Sequence, residues 1–122
     1  MAEPPETADP RPRVVTDEGG VARVAGSRCK ACGYPLAVEA PWCPDCRGAL
    51  RDDAFGPGGT VWAHTTLHIS VAGRAPGYTL AYVDLDDGPR ILAHVEGGRP
   101  SVGSRVRVAG TTAEGDPLVS PE

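Results

Sequence analysis

Residues 60–72 alternate strictly between two sets of side chains, which is the pattern of a half-buried β-strand. In TVWAHTTLHISVA, one predicted face carries Val61, Ala63, Thr65, Leu67, Ile69 and Val71, and the other carries Trp62, His64, Thr66, His68 and Ser70. A strand of this length usually curves or bends through a β-bulge. The segment therefore predicts the long first strand of a β-domain.

Four shorter strands are predicted downstream: YTLAYVDL (78–85), RILAHV (90–95), SRVRVAG (104–110) and PLVS (117–120). The Asp86-Asp87-Gly88 segment joins the first two of these as a tight hairpin turn. In SRVRVAG, the valines are predicted to face inward and the arginines outward. Five strands that begin with a long one predict a small closed Greek-key barrel of the OB type.

The first half of the chain has a different pattern. Residues 1–13 contain four prolines and three acidic residues without an apolar period, which predicts disorder. Residues 14–28 predict short extended pieces around an Asp-Glu-Gly-Gly turn. The predicted organisation of this mostly β chain is a disordered or extended segment over 1–25, a cysteine module over 26–54 and a barrel over 55–122.

Charge and hydropathy narrow the possible partners and compartments. The net charge is −4 and no basic run is present, which disfavours nucleic acid as the main partner. No apolar run approaches the roughly 20 residues that a membrane helix needs. Because MAEPPETADPRPR lacks the apolar segment of a signal peptide, we expect a cytoplasmic protein with reduced thiols.

All four cysteines lie in CKACGYPLAVEAPWCPDC, as Cys29, Cys32, Cys43 and Cys46. Two residues within each Cys-x-x-Cys pair let both sulfurs reach one ion, and the ten-residue spacer predicts a hairpin that brings the pairs together. Gly33 follows the first pair, where a left-handed residue is often needed, and Arg47 takes the equivalent place in the second. This spacing predicts a structural Zn²⁺ site, with iron, a redox dithiol and metal-free cysteines as alternatives.

The histidines are the other residues that could carry chemistry, and their pattern is less specific than that of the cysteines. Trp62, His64 and His68 are predicted on one strand face, either as a groove with a general-base histidine or, more simply, as a solvated or interface-facing surface. A metal site formed by His64, His68 and His94 is a minor alternative. No nucleophile or phosphate-loop motif is present, so we predict no catalytic residue.

Arginines offer a further possibility, since guanidinium groups bind the phosphates of nucleotide-like ligands such as coenzyme A. The candidates are Arg74, Arg90, Arg105 and Arg107. Acidic residues interleave with them along the sequence, which weakens this interpretation.

The ordered motifs C-x2-C-G, C-P-x-C, GTVWAHTTLH and APGYTLAYVDLDDG-x-RILAHV resemble one family. They are similar to the OB-fold proteins that carry an N-terminal rubredoxin-like zinc ribbon and accompany thiolases and thiolase-like enzymes. The resemblance runs from about residue 26 to residue 120.

This resemblance implies a non-catalytic accessory subunit. Such a subunit would bind a thiolase-like enzyme, which could be an acyl-CoA acyltransferase or thiolase, a lipid-transfer-type enzyme or a hydroxymethylglutaryl-CoA synthase-like enzyme. It would support the stability of this partner or acyl-CoA channelling. The alternatives are a single-stranded nucleic-acid or CoA-binding OB module and, less favoured, a stand-alone acyl-CoA thioesterase. Within the ribbon, the hairpin tip YPLAVEAPW presents Tyr34, Leu36, Val38 and Trp42 on a module too small to bury them all, and it is a predicted docking surface.

Overall fold

The computed structural model describes residues 11–68 and 77–122. The predicted disorder of residues 1–10 and the predictions for Ile69, Ser70, Val71 and Arg74 therefore lie outside the described residues. The strands are β1 (Arg13–Thr16), β2 (Ala22–Cys29), β3 (Pro35–Leu36), β4 (Leu50–Phe55), β5 (Gly58–Leu67), β6 (Tyr78–Leu85), β7 (Arg90–Val95), β8 (Arg105–Thr111) and β9 (Pro117–Pro121). Nothing in the described ranges is helical, so they hold no helix that could span a bilayer.

The N-terminal sheet is organised around β2. Strand β4 pairs antiparallel with the whole length from Val24 to Cys29, while β1 and β3 pair with the first and last parts of β2. The turn between β1 and β2 is held by Asp17, whose carboxylate accepts the backbone N–H groups of Gly19 and Val21 at 2.8 and 3.0 Å. The extended pieces predicted around this turn are thus a paired hairpin.

The remaining five strands form a closed barrel in the order β5-β6-β7-β9-β8, with β8 paired back to β5. All neighbours are antiparallel except β7 and β9, which run parallel. Strands β6 and β7 have the bounds that the apolar pattern predicts, and residues 86–88 form the predicted turn between them. The predicted fold class, a mostly β chain with a five-stranded OB-type barrel, is confirmed.

One apolar core serves both halves of the chain. Val24 of β2 and Phe55 of β4 are buried in the same cluster as the barrel residues. That cluster further contains Val61, Ala81, Val83, Leu85, Ile91, Ala93, Val106, Val108 and Val119. The N-terminal sheet is therefore packed onto the barrel by shared apolar contacts rather than joined to it by a free linker.

A β-bulge at Trp62 corrects the predicted faces of β5. Val61 pairs with Val83, but Ala63 pairs with Tyr82, so β5 has one residue more than β6 across this step. An extra residue reverses the alternation beyond it. Trp62 contacts the outward-facing ring of Tyr82, whereas His64 pairs with the buried Ala81 on the other side of the sheet. The prediction that Trp62, His64 and His68 share a face is wrong, and His68 follows the end of the strand.

Candidate functional site

The four cysteines lie on two backbone turns of matching geometry. The Gly33 N–H donates to the Cys29 carbonyl at 3.0 Å, and the Arg47 N–H donates to the Cys43 carbonyl at 2.8 Å. Both donors are left-handed, with φ of 79° at Gly33 and 66° at Arg47. The second turn therefore adopts the geometry of the first without a glycine at this position.

The first cysteine of each turn is buried, and its sulfur accepts hydrogen bonds from backbone N–H groups. The Cys29 sulfur accepts two N–H groups at 3.3 and 3.4 Å, and the Cys43 sulfur accepts two at 3.4 and 3.5 Å. Cys32 and Cys46 are exposed. Because N–H groups aimed at sulfur favour the thiolate, each turn is prepared to hold a negatively charged ligand atom.

The sulfurs of the two turns converge. All four Sγ atoms lie within 4.8 Å of one another, with 3.4 Å between Cys29 and Cys46 and 3.7 Å between Cys32 and Cys43. Four sulfurs bound at about 2.3 Å to a tetrahedral ion would lie about 3.8 Å apart, whereas a disulfide needs about 2.0 Å. The cluster thus fits one metal ion, and four thiolate donors suit zinc or iron.

Proximity also separates the pKa values of the thiols. Hydrogen bonding from the Cys32 backbone N–H is the main reason that the pKa of Cys29 falls to about 6. For Cys32, the Tyr34 backbone N–H lowers the pKa, but desolvation of the sulfur and hydrogen bonds with the other three sulfurs outweigh it and raise the pKa to about 12. A metal ion must displace the proton held by Cys32, so its binding releases protons.

Arg28 connects the cysteine turns to the barrel. Its guanidinium donates to the Asp53 carboxylate at 2.9 Å, to the Gly33 carbonyl at 2.9 Å and to the Asp87 carbonyl at 2.6 Å. It also lies 5.3 Å from the centre of the Phe55 ring. Hydrogen bonding to Arg28 is the main cause of a lowered pKa at Asp53. The sequence pattern contains no signal for Arg28, because its partners Asp53 and Asp87 are distant along the chain.

The histidines do not converge on a metal. His94 pairs with Leu80 on the outside of the barrel, while His64 lies on the other side of the sheet. The His94 Nε2 lies 3.3 Å from a carboxylate oxygen of Asp116, and its ring packs against Tyr78. Within the described ranges, the cysteines form the one cluster of metal-ligating side chains. The alternative of a His64, His68 and His94 site is wrong because the bulge turns His64 away.

Arg90 is bound to neighbouring side chains. It donates to Asp84 through two nitrogens at 2.6 and 3.2 Å, and its guanidinium carbon lies 3.8 Å from the centre of the Trp62 ring. This pairing lowers the pKa of Asp84. A phosphate group would compete with the carboxylate of Asp84 for the same guanidinium.

Arg105 is also paired with acids. It donates to both carboxylate oxygens of Asp86 at 2.7 and 2.5 Å, and to Glu122 at 3.2 Å. Arg107 lies exposed two residues further along β8. The role of these arginines at CoA phosphates stays a prediction.

The hairpin tip of the cysteine module is partly apolar and exposed. Tyr34, Val38 and Trp42 are exposed, while Leu36 is buried in β3 against the rest of the module. The docking role of this tip stays a prediction.

The outside of the barrel carries an apolar surface of which sequence reasoning identified only Trp62. Trp62, Tyr82 and Leu92 are 52%, 46% and 43% exposed. Tyr82 and Leu92 are cross-strand partners, and the next outward row pairs Leu80 with His94 and His94 with Leu118. We refer to Trp62, Tyr82, Leu92, Leu80 and Leu118 as the aromatic face. Its signal was available, since β6 and β7 carry apolar residues at outward as well as inward positions.

These observations define the class of protein: an OB-fold barrel joined to a four-cysteine module that can bind a metal ion. Residues 53–111 match the family described as ChsH2, C-terminal OB-fold domain. The chain is 32% identical over 84 residues to the benzoylsuccinyl-CoA thiolase subunit BbsA of Geobacter metallireducens, and the match covers 68% of this chain and 57% of that relative.

Similarity to a solved structure supports the same fold. The Ltp2-ChsH2(DUF35) aldolase matches with a TM-score of 0.68 and 23% identity, over 81% of this chain and 84% of that chain. The family match and the thiolase-subunit relative support the resemblance that the motifs indicated, and the solved structure supports the fold.

Proposed function

We propose that this chain is a non-catalytic accessory subunit that binds a thiolase-like enzyme of acyl-CoA metabolism. The observation that carries the proposal is the likeness to a thiolase subunit, BbsA, at 32% identity over 84 residues. The OB-fold family match over residues 53–111 supports it. The chain stabilises its partner and assists the handling of acyl-CoA.

The metal in this proposal is a structural zinc ion held by Cys29, Cys32, Cys43 and Cys46. Sulfur spacings of 3.4 and 3.7 Å between the turns support a tetrahedral ion. Four protein ligands leave no position for a reacting water, so the ion contributes folding energy rather than chemistry. Reduced thiols fit a cytoplasmic location.

Elemental analysis tests the metal. We expect about one zinc per chain, and Cys43→Ser, which alters a fully buried ligand, should give metal-free, poorly folded protein. Lys30→Ala changes an exposed side chain between two ligands and should keep the metal. Iron in place of zinc, or a folded Cys43→Ser variant without metal, would contradict the structural zinc site.

Co-purification tests the partner. The chain, expressed alone and together with each thiolase-like enzyme of its source organism, should form a stable complex with one of them and raise its yield or activity. A chain that stays separate from all of them, and changes none of their activities, would refute the proposed function.

A further inference from the structure

We infer that the aromatic face is the surface through which the chain binds its enzyme partner, and that the matching surface of the partner is apolar and uncharged at its centre. This inference rests on the proposed function. It selects the outside of the barrel over the hairpin tip of the cysteine module.

The apolar pattern of two strands is the first support. A barrel strand needs apolar side chains only at inward positions, which in β6 are Ala81, Val83 and Leu85. Strand β6 also places Leu80 and Tyr82 outward, and β7 places Leu92 outward. These three outward side chains are neighbours on the sheet, and contiguous exposed apolar patches mark interaction sites, unlike apolar residues that are scattered singly. The outside of this part of the barrel therefore has the composition of a covered surface.

The second support is that the exposed rings are already fixed. The Trp62 and Tyr82 rings meet edge to face, with centroids 6.0 Å apart and planes at 75°. The Arg90 guanidinium packs on the Trp62 ring, with 3.8 Å between its carbon and the ring centre. Arg90 itself donates a hydrogen bond to Asp84. Side chains held before binding lose little entropy on binding. Trp, Tyr and Arg are also the residues most enriched among those that dominate interface energies.

The third support is the charge at the border of the face. Cross-strand pairing places Arg105, Thr60, Asp84 and Arg90 in one outward row next to Tyr82. Both arginines of this row are matched by carboxylates within the chain. A nucleic acid would need cations free to neutralise phosphates. A paired border instead complements a protein surface that brings no charge to the centre of the contact.

The hairpin tip lacks the second of these properties. Tyr34 and Trp42 are exposed, but no ring contact joins them among the described residues. The tip therefore provides matched control variants, because its aromatic side chains have similar exposure to those of the aromatic face.

The experiment measures binding to the co-purifying thiolase-like enzyme by calorimetry or biolayer interferometry. Trp62→Ala and Leu92→Asp should each raise Kd by at least about tenfold, whereas Trp42→Ala should change Kd by less than about threefold. Thermal melting and metal content show whether each variant is folded. If Leu92→Asp unfolds, Tyr82→Ala replaces it, since this side chain is half exposed.

The outcomes separate the two proposals. Wild-type binding with unchanged Kd in folded face variants would overturn the inference and leave the proposed function intact. A lack of wild-type binding to every such enzyme would overturn both. Sedimentation of the chain alone and titration with a single-stranded oligonucleotide complete the test. A dimer or an oligonucleotide complex that is lost in Trp62→Ala would assign the face to a second copy or to nucleic acid, and would overturn the inference.

Discussion

At the scale of single residues, two glycines of the cysteine module are required for different physical reasons. Gly33 has φ of 79° and open space around the position of a Cβ atom. Gly48 leaves no such space, since a Cβ there would lie 3.0 Å from the Cys29 sulfur and 3.2 Å from the Cys46 sulfur. The first glycine relieves backbone strain and the second leaves room for the ligand atoms.

Alanine substitutions at Gly33 and Gly48 should therefore have different effects. Gly48→Ala should lower metal affinity by about tenfold or more, because it presses on two ligand atoms. Gly33→Ala should reduce the free energy of unfolding by about 1–2 kcal/mol, with a smaller effect on metal affinity. Chelator competition and urea denaturation measure the two quantities. Equal metal affinity in the two variants would contradict the distinction.

The ligand residues could be predicted from the sequence, whereas the role of Gly48 could not. Cys-x-x-Cys spacing is a local property, and it also indicated the left-handed positions at Gly33 and Arg47. Gly48 matters because of its distance to Cys29, which is 19 positions earlier in the chain. Distances of this kind exist only after the two turns have come together.

At the scale of elements, the bulge in β5 determines which side chains reach the inside of the barrel. Beyond Trp62, Thr66 faces the same side as Thr79, and their hydroxyl oxygens are 2.9 Å apart. Thr79 is buried. Within the described ranges, the pair is the one hydrogen bond between side chains of β5 and β6, and it joins the two strands after the bulge.

Removing both hydroxyls of this pair together should cost less free energy of unfolding than the two separate removals add up to. Thr66→Val leaves the buried Thr79 hydroxyl without its partner, and we expect a loss of about 1–2 kcal/mol of unfolding free energy. The double change Thr66→Val with Thr79→Val should cost less than the sum of the single changes. Additive losses in urea denaturation would show that the two hydroxyls do not interact.

Arg28 joins elements that the sequence gives no reason to associate. Replacing it with lysine keeps the charge but removes the fork of donors that reaches Asp53, Gly33 and Asp87. We expect Arg28→Lys to reduce the free energy of unfolding by about 2 kcal/mol. Arg51→Ala is the control, since Arg51 lies 3.8 Å from the same Asp53 carboxylate and is half exposed, and it should cost less than about 0.5 kcal/mol. Similar losses in both variants would contradict a special role for Arg28.

The sequence predicted the bounds of two strands, but it did not predict which side chains of β5 face the inside of the barrel. Alternation is a property of each segment, so the bounds of β6 and β7 could be obtained directly. The phase of β5 after Trp62 depends on its partner β6, because the extra residue has meaning only relative to a neighbouring strand. The predicted site of His64, His68 and His94 was wrong for this reason, although a bend or bulge in β5 was expected.

At the scale of the whole molecule, the shared core predicts that the cysteine module and the barrel unfold together. Val24 and Phe55 pack among barrel residues, and Phe55 is 3% exposed. Loss of the metal should therefore destabilise the barrel as well as the module.

The two tryptophans allow this coupling to be measured, because Trp42 reports the module and Trp62 the barrel. Trp42→Phe and Trp62→Phe variants, followed by fluorescence during thermal unfolding, should show coincident transitions that shift down together when a chelator is added. Two separate transitions, or a barrel transition unaffected by the chelator, would show that the halves are independent.

The position of β9 has a consequence for synthesis on the ribosome. This strand lies between β7 and β8 and contributes the buried Val119, although β7 and β8 are complete earlier in the chain. Until residues 117–121 emerge, the nascent barrel is open at two strand edges, and open edges recruit strands from other chains. A premature stop codon after residue 111 would keep every cysteine and eight of the nine strands in the part of the chain that the structure describes. The truncated chain would nevertheless have an unclosed sheet, and we expect it to aggregate or to be degraded by cellular proteases.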